Sequence, residues 1–98
     1  MGAVLSDADV LARGKSIAAT DLDDETVMMD LETGRYFHLD DIATAVWRLL
    51  ETPCRLDALI ARLLEEYDVT EDVCRNDTIE LLESLLKSGA VRVVSDDR

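Results

Sequence analysis

Three sets of residues in this 98-residue chain are of chemically capable types, and their spacing decides what each can do. The single histidine, His38, stands two positions before Asp40. On an extended strand both side chains share a face, so the carboxylate is placed to orient the imidazole as a general base. No nucleophile accompanies the pair, and the simpler reading is an edge-strand histidine facing solvent or a partner. Asp21, Asp23, Asp24 and Glu25 have the charge for calcium. They lack the glycine at the bend and the distal glutamate at the required spacing, so they read as a solvated turn. Cys54 and Cys74 lie far apart with no ligand set around them, whereas zinc asks for about four clustered ligands. Both read as reduced, structural thiols. The chain has no glycine-rich phosphate loop and no serine, histidine and acid set. Neither catalysis nor a cofactor or metal is expected.

The elements that would hold these residues are punctuated locally. Gly34 supplies the positive φ of a tight turn between two apolar and aromatic runs, residues 27–31 and 35–39, which is a hairpin signal. Two-residue periodicity puts Arg35, Phe37 and Leu39 on one face of the second run and Tyr36 and His38 on the other. Asp40 stands where an N-cap belongs, and Asp41 adds negative charge at the positive end of the helix dipole. The helix that follows carries Ile42, Val46, Leu49 and Leu50 at helical spacing and ends at Thr52 and Pro53. A second helix over residues 56–67 has Leu56, Leu59, Ile60, Leu63 and Leu64 as its apolar stripe. A third starts at Thr70, with a possible restart at Asn76 or Asp77, and closes at Gly89 as an αL cap. Before the hairpin, residues 8–20 read as one irregular strand or two short ones broken at Gly14. After the third helix, residues 90–94 alternate weakly as a short strand.

Length and charge bound the rest. Ninety-eight residues suffice for one small core, read as a single domain over residues 8–94 between flexible ends at 1–7 and 95–98. With 22 acidic residues against 10 basic and a net charge of -12, duplex nucleic acid and anionic membrane are poor partners. Basic or apolar peptides are not. No apolar run is long enough to span a bilayer and no secretory signal opens the chain, so a cytoplasmic location is expected.

The residues match a known pattern. The turn and strand TGRYFHL are followed by a Leu-Asn-x-x-Ala-x-x-[Ile/Val]-[Trp/Leu] pattern, present as Leu39, Asp40, Ala43, Val46 and Trp47. The helix LDALIARLLEEYDV and the block Asp77, Leu81, Leu82, Leu85 and Gly89 continue it. In this order the chain resembles the PqqD-like proteins, the recognition elements of ribosomally made and modified peptides, and is most similar to stand-alone members of lasso-peptide pathways. Asp40 replaces the usual asparagine, and both residues cap helices. The resemblance implies an α+β fold, an N-terminal three-stranded antiparallel sheet packed on a three-helix winged helix-turn-helix-like domain, without catalysis. It also implies that a precursor's leader peptide adds as a strand to the third strand, against the third helix. Carried over, the edge is Arg35, Tyr36, Phe37 and His38, and the opposing wall is Arg75, Asp77, Thr78, Leu81 and Leu85. The acidic surface favours a leader carrying lysine or arginine, while Arg35 and Arg75 are placed to pair with an acid.

The implied partner is the leader peptide together with a maturation enzyme, a lasso leader peptidase first and, as the alternative, a radical enzyme served by a PqqD-type chaperone. Two other classes remain in view. A winged-helix regulator would bind DNA, yet its recognition helix would carry Glu71, Asp72, Asp77, Glu80 and Glu83. A phosphopantetheine carrier needs an Asp-Ser-Leu signature at a helix start, whereas Ser84 and Leu85 follow Glu83 in mid-helix.

Overall fold

The computed structural model describes residues 5–22 and 25–94. In chain order its elements are β1 (Val10–Arg13), β2 (Ile17–Leu22), β3 (Glu25–Asp30), β4 (Tyr36–Leu39), α1 (Asp41–Leu49), β5 (Cys54–Arg55), α2 (Leu56–Glu66), α3 (Glu71–Ser88) and β6 (Val91–Val94). The strands form two antiparallel sheets, ordered β2-β3-β4 and β5-β1-β6. The fold is therefore α+β, a three-stranded sheet against three helices, with a second small sheet closing the helical part.

The caps sit where local chemistry puts them. The Asp40 carboxylate accepts from the Ala43 N–H at 2.9 Å and the Thr70 hydroxyl accepts from the Val73 N–H at 3.3 Å, each relieving an orphan donor of a first turn. Gly89 ends α3 at φ 84, a left-handed geometry that costs glycine little. α3 runs unbroken through Asn76 and Asp77, without the restart that the local cap residues suggest.

Long-range pairing departs from the local reading. Residues 8–20 hold two strands that go to different sheets: β2 pairs with β3, while β1 lies between β5 and β6, with Val10 opposite Val94. Asp21 and Glu25 belong to strands rather than to a turn, and the centre of that acidic cluster, residues 23–24, lies outside the described residues. Of the segment expected to fray, residues 5–7 are tied down. Leu5 is buried in the core, and the Asp7 carbonyl accepts from the Asp57 N–H at 3.2 Å. Residues 1–4 and 95–98 lie outside the described residues.

The core joins Leu11 of β1, Met28 of β3, Val46, Trp47 and Leu50 from α1 and its cap, Leu56, Leu59, Ile60 and Leu63 of α2, and Leu82 of α3. Leu64 is packed only at its margin. In α1, Ala43 and Trp47 are buried, whereas Ile42 stays 39% exposed despite its core-like spacing from Val46. Two contacts lock β1 in place. The Arg13 guanidinium donates to the Trp47 carbonyl at 2.8 and 3.2 Å and lies 4.4 Å from the Trp47 ring centroid, placing a cation at the C-terminal end of α1. The Gly14 N–H donates to the Ala90 carbonyl at 2.7 Å, and a Cβ at Gly14 would run into the Gly89 carbonyl. Only glycine permits that approach.

Candidate functional site

The site is built on β4. Gly34, at φ 75, closes the hairpin, with the Asp30 N–H donating to the Arg35 carbonyl at 2.8 Å. From that pair the antiparallel alternation directs the main-chain groups of Phe37 towards Met28, its partner in register. The N–H and C=O groups of Tyr36 and His38 then point away from β3. Among the described residues nothing pairs with them, because β4 is the last strand of its sheet. Side chains alternate with the backbone. Leu39 is buried and Phe37 half-buried against the core, while Tyr36, 72% exposed, and His38 face outwards.

β4 passes into α1 through Asp40 alone, so the strand's open edge and the first turn of α1 share one margin. Across from them lies α3. Between the two is a cleft of about 630 Å³, lined on the strand side by residues 36–40 with Ile42 and Ala43, and on the helix side by Asp77, Leu81, Ser84 and Leu85. Of the residues singled out from sequence, Tyr36, Phe37, His38, Asp77, Leu81 and Leu85 therefore come together around one space.

Three do not line it. Arg35 precedes β4, and its guanidinium carbon stands 5.9 Å from the Phe37 ring centroid. Arg75 is held by Asp7 and, at 3.2 Å, by Glu71. Thr78 is 2% exposed, with its hydroxyl 4.0 Å from the Cys74 sulfur. The reason is helical phase: at about 100° per residue, Thr78 is one step round from Asp77 towards the core, and Arg75 is two steps round the other way. Leu39, Asp40, Ile42, Ala43 and Ser84 line the cleft without having been singled out as binding residues. Ser84 was within reach of the same phase argument, being three residues beyond Leu81.

The charge of the site is one-sided. His38 bonds Glu25 across the strands at 2.9 Å, not Asp40, whose carboxylate is engaged as the α1 cap; the general-base pair does not form. Among the described residues no group of three or more histidine, cysteine or acidic side chains is placed to hold a metal ion. Burial pushes the Cys54 thiol above its usual range, against the thiolate form that would react, and Cys74 is buried and unpaired. Glu71, Asp72, Asp77, Glu80 and Glu83 are all exposed on α3, so the helix offers phosphates a repulsive face. Among the described residues no helix is long and apolar enough to cross a membrane. The site thus presents an open strand edge, with amides and carbonyls unpaired among the described residues, beside a half-apolar cleft.

Residues 25–91, from the start of β3 to the start of β6, match the family of coenzyme PQQ synthesis protein D (PqqD). Two solved structures are similar over most of the chain. The structure of TbiB1 in complex with the TbiA(beta) leader peptide is 27% identical, covers 87% of this chain and 99% of its own, and superposes with a TM-score of 0.80. That of lasso peptide synthetase B1 complexed with the leader peptide is 26% identical, covers 84% and 96%, and gives 0.70. No curated protein sequence matches.

Proposed function

The chain belongs to the PqqD family, and on that premise we propose that it is a non-catalytic recognition element that binds the leader region of a ribosomally made precursor peptide. The leader adds as a further strand along β4, and the protein delivers the precursor to a maturation enzyme, a lasso leader peptidase in the first instance. One observation carries this reading: the last strand of the sheet leaves the main chain of Tyr36 and His38 unpaired among the described residues, beside a cleft walled by α3. Two similar structures that hold leader peptides, one of them a lasso peptide synthetase B1, support it.

The energetics suit a carrier of transient cargo. Four main-chain hydrogen bonds, from the N–H and C=O groups of Tyr36 and His38, at about 1 kcal/mol net each, with two or three apolar side chains at about 2 kcal/mol each, give a gross gain of about 9 kcal/mol. Ordering an extended peptide and losing its free motion offset several kcal/mol of that, leaving about 6 kcal/mol, an affinity on the order of tens of micromolar. Such a complex forms readily and still releases its cargo.

The test is a polarisation titration with labelled synthetic leader peptides, the TbiA(beta) leader first. Tyr36→Asp and Phe37→Asp, each with native circular dichroism, are expected to bind at least about tenfold more weakly, the loss of one interfacial anchor. Wild-type affinity in both folded variants would contradict the reading.

A further inference from the structure

Resting on the strand-addition reading, we infer that Asp77 is the selectivity residue of the groove: it reads a lysine or arginine of the leader whose aliphatic stem lies on Ile42 and Val73. Beside the main cleft lies a second, smaller cavity of about 70 Å³, walled mainly by apolar side chains that include Ile42, Val69 and Val73. Ile42 and Asp77 line both spaces, so they form the ridge between them. Around this ridge apolar surface is left uncovered, with Ile42 39%, Val69 44% and Val73 49% exposed. The Asp77 carboxylate has no hydrogen-bond or ion-pair partner among the described residues.

Among the described residues no cation neutralises it. Arg75 is held by Asp7 and Glu71, Arg35 lies by Phe37, and no lysine or arginine lines either space. The other carboxylate of the cleft, Asp40, is already the α1 cap. A purely aliphatic side chain docking on Ile42 and Val73 would cover an unpaired carboxylate and forfeit its hydration, and an acidic one would be repelled. Lysine and arginine meet both demands, with an apolar stem for the valine and isoleucine and a cationic head for Asp77.

The experiment selects binders from a display library of random 16-residue peptides against the wild-type protein, Asp77→Asn and Asp77→Lys, each checked by circular dichroism. The wild-type pool should show an alternating apolar pattern with lysine or arginine enriched at one fixed position. Asp77→Asn should keep the apolar pattern and lose the basic preference, and Asp77→Lys should turn it to aspartate or glutamate. A synthetic consensus peptide from the wild-type pool should bind Asp77→Asn about fivefold more weakly, as fits a partly desolvated ion pair. An unchanged basic position in the Asp77→Asn pool, or a wild-type pool with the apolar pattern alone, overturns the inference and leaves the groove reading intact. A wild-type pool with no recurring pattern overturns both.

Discussion

β1 and β4 are both four-residue strands of three-stranded antiparallel sheets, and they are finished differently. β1 is the central strand of its sheet. Its main chain is paired on both sides, Leu11 is fully buried, and Arg13 and Gly14 bind it to the ends of α1 and α3. β4 is paired on one side only, keeps Phe37 half in the core, and turns its other edge to a cleft. An open edge is a liability in a small acidic protein unless something is meant to fill it. On the proposed reading the contrast assigns stability and recognition to separate strands, so each should be open to damage without the other.

The largest effect should come from the closed strand. Leu11→Ala removes a side chain with no exposed surface and should cost about 3 kcal/mol in a urea titration, with the folded fraction binding leader as before. Next comes the wall of the open strand. Leu81→Asp places a charge in the cleft and should weaken leader binding by about 2 kcal/mol, a hot-spot loss, while lowering stability by no more than about 1 kcal/mol. An equal loss of stability would merge the two regions and break the contrast. The smallest is Arg13→Met, which keeps most of the apolar stem but gives up the hydrogen bonds to Trp47 and the ring contact. It should cost about 1 kcal/mol of stability and leave leader affinity unchanged.

What could be read before folding follows the same division between local and distant causes. Gly34, Asp40, Thr70 and Gly89 act on neighbours within three or four residues, so the hairpin, the helix starts and the last cap were legible in order. The pairing of Val10 with Val94 was not, because nothing in a four-residue strand names a partner at the other end of the chain. The two residues of β5 are too few to show a period. Around the cleft, residues 36–38 of the expected edge and three of the five expected α3 positions come together, whereas Arg35 lies outside it. Arg75 and Thr78 were not separable from Asp77 until the face of α3 that meets α2 was known. Ile42 misled for the opposite reason: its spacing from Val46 is that of a core residue, and only the placement of β4 and α3 leaves it uncovered at the groove.

Amide hydrogen exchange at Tyr36, Phe37 and His38, followed by NMR in the free protein and with leader at saturation, tests strand addition on β4 most directly. The free protein should protect Phe37, whose N–H faces Met28, and leave Tyr36 and His38 exchanging fast; bound leader should slow both. Tyr36 and His38 amides that are already protected in the free protein, or that still exchange fast beneath a bound leader, would contradict the account.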